Sequence, residues 1–114
     1  MHELAATQQI LEIAINKARE NQVSRIRRIN LVIGDLSSFV DDSIQFSFDI
    51  LTQNTMAEKA LLSIQRIPVE LLCKNCKRPF TPHTQPWRCP QCQSIEFDII
   101  KGTEFYLDSI EVDE

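Results

Sequence analysis

Four cysteines, all that the chain contains, fall in two pairs, Cys73-Lys74-Asn75-Cys76 and Cys89-Pro90-Gln91-Cys92, with twelve residues between them. Cys-x-x-Cys spacing turns both thiolates of a pair onto one ion while backbone N–H groups point at the sulfurs, and two such pairs complete a closed tetrahedral shell. Four thiolates on Zn2+ leave a formal charge of about minus two. Lys74, Lys77, Arg78 and Arg88 lie within or beside the knuckles to offset it. Two disulfides, a redox pair and a rubredoxin-like iron site compete with zinc. The opening Met1-His2-Glu3-Leu4-Ala5-Ala6 has no basic n-region and no apolar h-region, so the expectation is a cytoplasmic chain whose thiols stay reduced. Structural zinc is the reading taken. A closed shell has no open coordination position, so chemistry must be sought elsewhere in the chain.

His2 is the second candidate. The Met1 α-amine, the His2 amide nitrogen once deprotonated and the His2 imidazole reach one ion through short chelate rings, and Glu3 can add its amide or carboxylate. Such a square-planar set suits Ni(II) or Cu(II), whereas zinc prefers a tetrahedron. The plain alternative is an exposed residue at a frayed terminus. His83 sits in the loop Pro82-His83-Thr84-Gln85-Pro86 and reads as a solvated loop residue before a ligand. Asp41 reads first as a helix cap and second as a supplementary carboxylate.

The elements that must position these groups follow from apolar spacing. From Leu4 to about Glu20, Leu4, Ile10, Leu11, Ala14, Ile15 and Ala18 share one face at about 100° per residue, which predicts a helix. Ile13 falls outside that face. A β-branched run at 26–33 predicts a first strand, with Ile29, Leu31 and Ile33 opposed to Arg28 and Asn30 and Gly34-Asp35 ending it. The run 43–51 fits both periods: Ile44, Phe46, Phe48 and Ile50 alternate, while Ile44, Phe48 and Leu51 keep helical spacing. Helix is preferred, with Asp41 and Asp42 as caps and 52–55 as the stop. Residues 60–69 read as a second strand parallel to the first, joined to it by a βαβ crossover. Residues 103–112 read as a strand that returns to the main sheet, making the ribbon an insertion.

The expected fold class is therefore α+β: two helices on a small mixed sheet, in α-β-α-β order with a returning C-terminal strand, plus a four-cysteine zinc ribbon. The domain expectation is 1–69 plus about 103–114 for the α/β part and 70–102 for the ribbon, with Phe80 and Trp87 as the ribbon's miniature core.

A formal net charge of −4 and the lack of a basic tract interleaved with aromatics argue against nucleic acid. Arg25, Arg27 and Arg28 read as a solvated strand edge. No apolar stretch approaches the 18 or so residues of a membrane span. With two glycines there is no Gly-rich phosphate loop, and no Ser-His-Asp, Cys-His or paired-carboxylate set is legible, so an enzyme is not expected.

Met1-His2-Glu3-Leu4 opening an amphipathic helix, Ile33-Gly34-Asp35-Leu36-Ser37 closing the first strand, and the late Cys-x-x-Cys, Cys-Pro-x-Cys ribbon together resemble the HypA/HybF family of nickel metallochaperones for [NiFe]-hydrogenase maturation, over the full length. The resemblance implies nickel as cargo at His2 with Met1 and Glu3, and structural zinc at Cys73, Cys76, Cys89 and Cys92. It implies handover to the hydrogenase large subunit with a GTPase accessory protein of the same system, and a monomer or weak homodimer is expected. Urease is a second destination the resemblance allows. Gln93 departs from the glycine that such ribbons often place after the last cysteine, which puts the tightness of the second knuckle in question. A zinc-ribbon interaction adaptor without a second metal is the alternative function.

Overall fold

The computed structural model describes residues 2–113; Met1, Glu114 and the side chain of His2 lie outside the description. In chain order the elements are α1 (His2–Glu20), β1 (Arg25–Gly34), α2 (Asp41–Leu51), β2 (Leu61–Ile67), β3 (Glu70–Cys73), β4 (Pro79–Phe80), β5 (Phe97–Lys101) and β6 (Phe105–Asp113). They form two three-stranded sheets, ordered β2-β1-β6 and β4-β3-β5. The chain divides into two compact units, one of Met1–Val32, Ser38–Gln65 and Phe105–Glu114, the other of Ile33–Ser37 and Arg66–Glu104.

In the first unit β1 is the central strand. Ile26 N donates to Met56 O at 2.9 Å and the Arg28 guanidinium to Ser63 Oγ at 2.8 Å, so positions advance together along β1 and the chain entering β2. That is a parallel pair, and α2 lies on its crossover. Along β6 the order reverses: Arg27 meets Asp113 at 3.3 Å, Arg28 meets Glu111 at 3.5 Å and Asn30 donates to Ser109 at 3.0 Å. The sheet is therefore mixed. Arg27 and Arg28 are solvated as expected, 69% and 38% exposed, but on a central strand and facing the acidic end of β6.

Helical period decides the ambiguous segment. Ile44 and Phe48, four residues apart, are buried in α2, whereas Phe46 and Ile50 are 68% and 48% exposed. A strand would have put all four on one face. The buried pair joins Ile10, Leu11, Ala14 and Ala18 of α1 and Ile29 and Leu31 of β1 in the core. Each fully buried Ile, Leu or Phe contributes roughly 1.5–3 kcal/mol. Thr52 stops α2, its N–H and hydroxyl both donating to Phe48 O at 3.0 and 2.8 Å.

Three local expectations are corrected. Val40, with no side-chain acceptor to offer, occupies the N-cap of α2; Asp41 and Asp42 lie inside its first turn, where acids favour the helix dipole. Leu4, expected on the buried face of α1, is 46% exposed, and Thr7 is buried, its hydroxyl donating to Glu3 O at 2.6 Å. The second strand ends at Ile67 instead of continuing to Val69, since Pro68 has no N–H to give a ladder. From Glu70 the chain belongs to the other sheet.

In the second unit β3 pairs antiparallel with β4, Leu71 opposite Phe80, and with β5, Cys73 opposite Phe97. Leu71, Cys73, Phe80 and Cys89 are buried, with Val69, Cys76, Trp87, Cys92 and Phe97 packed around them. Phe80 and Trp87 thus belong to the small core, each with its ring centroid 6.2 Å from that of Phe97. Because β6 returns to β1, strands β3 to β5 are an insertion between two strands of the first sheet.

Candidate metal centre

Strand β3 delivers Cys73 at its last residue, and the chain turns so that Cys76 N donates to Cys73 Sγ at 3.4 Å. Lys77 N returns to Cys73 O and Cys73 N donates to Arg78 O, both at 3.0 Å. The second knuckle repeats this pattern: Gln93 N donates to Cys89 O at 2.9 Å and Cys89 N to Ser94 O at 3.0 Å. Lys77 and Gln93 adopt matching left-handed backbones, φ 63° and 66°. The missing glycine therefore does not loosen the second knuckle. Both side-chain-bearing residues accept a conformation that disfavours a Cβ by roughly 1–2 kcal/mol.

Two hairpin turns built alike bring their sulfurs face to face. Cys73 and Cys92 Sγ are 3.5 Å apart, Cys76 and Cys89 Sγ 3.6 Å, and all four lie within 4.8 Å of one another. A tetrahedron with Zn–S bonds of about 2.3 Å has edges of about 3.8 Å. A disulfide would need about 2.05 Å. All four are free thiols, Cys73 and Cys89 buried and the other two half-buried. The donor set fits one zinc ion.

The surroundings prepare the thiols unequally. The N–H of Cys76 aimed at its sulfur lowers Cys73 to about 6 from 9.0, against the opposing effect of burial. The side chain of Asn75, then the backbone at Ser94, lower Cys92. Burial pushes Cys76 up to about 11. Asn75, a spacer residue of the first knuckle, thus serves a sulfur of the second; nothing in the motif spacing marks it. Of the nearby cations, Lys74 is engaged by Asp98 at 3.6 Å.

The nickel expectation at Met1 and His2 lies outside the described residues. Glu3 is half-buried in the first turn of α1. His83 lines a separate hollow of about 320 Å³ with Phe80, Trp87 and Arg88. Among the described residues, neither His83 nor Asp41 is brought into the cysteine cluster, and no helix is long and apolar enough to cross a membrane. What spacing did not reveal is a second concavity, between α1 and α2, lined by Glu3, Leu4, Asp42, Phe46 and Ile50. Its one signal in the sequence is Phe46, which lies off the buried helical face.

The sequence pattern of the family described as "Hydrogenase/urease nickel incorporation, metallochaperone, hypA" matches residues 1–112. A hydrogenase maturation factor HypA of Dehalococcoides mccartyi (strain ATCC BAA-2266 / KCTC 15142 / 195) is 45% identical over 114 residues, covering 100% of this chain and 96% of its own. The protein of the same name from Moorella thermoacetica is 41% identical over 112 residues, covering 97% and 98%. A solution structure of a HypA protein aligns with TM-score 0.75 at 28% identity, covering 98% of this chain and 96% of that one. The solution structure of the Ni metallochaperone HypA from Helicobacter pylori aligns with TM-score 0.66 at 27% identity, covering 96% of each. A match along nearly the whole chain, on a fold that gathers the four cysteines, makes this chain a member of the HypA family of hydrogenase/urease nickel-incorporation metallochaperones.

Proposed function

We propose that this protein carries Ni(II) at its N-terminus and helps deliver it to the large subunit of a [NiFe]-hydrogenase, in the cytoplasm and with a GTPase accessory protein of the same maturation system. The nickel ligands in this reading are the Met1 amine, the His2 amide nitrogen and imidazole, and Glu3 through its amide or carboxylate. A square-planar set of this kind suits Ni(II). The observation that carries the reading is the family match, which begins at residue 1 and so takes in Met1-His2-Glu3. Hydrogenase is preferred to urease because the curated relatives are hydrogenase maturation factors, although the family's description covers both.

In the same reading the nickel-binding domain is 1–69 plus about 103–114 and the zinc domain is 70–102. Cys73, Cys76, Cys89 and Cys92 hold zinc, whose contribution is to fix the fold of that unit. The protein turns over no substrate of its own and acts as a monomer or weak homodimer. Release proceeds by ligand exchange: an acceptor ligand attacks while some protein ligands remain attached, which an exposed terminus permits and a rigid buried site would slow.

Metal analysis of zinc-loaded protein with its native terminus, before and after nickel addition, tests this. The expected result is one zinc and one nickel per chain, with nickel lost in His2→Ala and in a variant carrying extra residues before Met1. Nickel held as tightly by those variants as by the parent would end the N-terminal reading and point to His83 or the cysteines.

A further inference from the structure

Helix α2 presents a stripe opposite its buried face. Asp42, Phe46 and Ile50 recur every four residues, so they stack on one side of the helix. Ile44 and Phe48, on the other side, are in the core. With Glu3 and Leu4 of α1, the stripe lines a groove of about 450 Å³. Scattered exposed apolar residues are ordinary, but here Leu4, Phe46 and Ile50, each about half exposed or more, converge on one concavity.

Charge identifies the occupant. The charged residues that line the groove are both acids, Glu3 and Asp42, and helix α2 adds Asp41 and Asp49 with no lysine or arginine. An anionic lipid surface would be repelled by this face. A second copy docking through the same groove would bring acid against acid, because a two-fold interface places the same patch on both sides. What complements an apolar groove between helices with an acidic rim is an amphipathic helix whose apolar anchors are flanked by lysine or arginine.

We propose that the α1–α2 groove is the docking site for a cationic amphipathic helix of a protein partner, with Phe46 as the central anchor and Asp42 as the charge that orients it. The groove includes Glu3, so a partner seated there is held next to the segment assigned to nickel; the docking itself needs no metal.

The probe is a synthetic leucine/lysine peptide with leucines at helical spacing, titrated into zinc-loaded, nickel-free protein and followed by amide chemical shifts. Its controls are a scrambled peptide of the same composition and a leucine/glutamate peptide of the same pattern. Expected are shifts centred on Leu4, Phe46 and Ile50, binding at least about tenfold tighter than either control, and a loss of about tenfold in Phe46→Ser and in Asp42→Lys. The thermal melt of Phe46→Ser should match the parent, since the side chain faces solvent; Asp42→Lys also places a cation in the first turn of α2 and should melt slightly lower, so its binding is read well below its midpoint. Equal binding of the three peptides, an unchanged Phe46→Ser, shifts centred instead on the separate hollow between α1 and β6 that Ile13 and Tyr106 line, or anionic vesicles or a self-dimer competing for Phe46 would each overturn the proposal. Nickel stoichiometry is read separately on Phe46→Ser: docking lost with nickel retained supports the groove whatever the fate of the N-terminal assignment, while His2→Ala should lose nickel and still bind the peptide.

Discussion

Gly34 and Gly102, the only glycines in the chain, pack directly against each other. A Cβ on Gly34 would overlap the carbonyl of Gly102 and come within 2.6 Å of Glu104 Oε1. The approach is held by Gly34 N to Glu104 O and Leu36 N to Gly102 O, both 2.7 Å, and by Gly102 N to Glu104 Oε1 at 2.8 Å. Gly102 also needs its φ of 122°. Gly34→Ala meets backbone, which cannot swing aside as a side chain can. Its expected cost is about 2–3 kcal/mol or loss of folding, read as a lower thermal midpoint of the zinc-loaded protein. A midpoint within error of the parent would show that the contact is slack.

Left-handed backbone at Lys77 and Gln93 predicts an unusual gain from removing side chains. Lys77→Gly and Gln93→Gly should each stabilise the zinc-loaded protein by about 0.5–1 kcal/mol, the relief of the Cβ clash exceeding the added freedom of the unfolded chain. Denaturant melts check this, and slower zinc loss to a chelator should accompany it. A drop in either variant would mean that side-chain contacts, not backbone strain, dominate there.

The lowered Cys73 gives the folded ribbon a pH dependence of definite sign. Its thiol lies at about 6 when folded against 9.0 unperturbed, so its contribution to stability is fully present above pH 9 and is lost as pH falls through about 6. The thermal midpoint of the ribbon, read by Trp87 emission of zinc-loaded protein across a pH series, should therefore fall as pH drops below neutral, and a midpoint that rises towards acid would overturn the sign. Cys76, pushed up to about 11, must surrender its proton when metal enters near neutral pH, so zinc loading should acidify a weakly buffered solution.

Zinc removal should be felt in one unit and not in the other. Trp87, the only tryptophan, packs in the small core beside the cysteines, whereas both helices belong to the first unit. Chelation is expected to red-shift Trp87 emission towards that of an exposed indole while most helical circular dichroism persists. Loss of both signals together at one chelator concentration would show that the first unit does not stand without the metal.

The donor chemistry was legible because spacing alone brings thiolates onto an ion: four cysteines at Cys-x-x-Cys intervals can be met by few arrangements, and the fold uses one of them. The order of elements was legible for a related reason. Ile29 and Leu31, and Ile44 with Phe48, repeat with the period of the structure they occupy. What did not show was anything set by contacts distant in sequence. The burial of Thr7, whose hydroxyl donates to a carbonyl one turn back, is the local exception. Arg27 and Arg28 are solvated as they read, but their pairing with Asp113 and Glu111 of β6 could not be seen. Asn75 tunes Cys92 across two knuckles that are separate in the chain. Pro68 alone gave local warning that the second strand would stop early.

The return of β6 to β1 has a consequence for the order in which the chain can assemble. Asn30 and Glu111, hydrogen-bonded at 3.4 Å, are 81 residues apart in sequence, so completing the first sheet is a long-range search with a large closure entropy. The inserted strands shorten that search once formed, because β3 and β5 place Glu70 opposite Lys101 and so hold the two ends of the insertion side by side. A folded ribbon replaces some thirty residues of loose chain with a clasp only one strand spacing wide, about 5 Å. An ion that does no chemistry is therefore expected to speed the pairing of β6 with β1, which refolding rates measured with and without zinc would read.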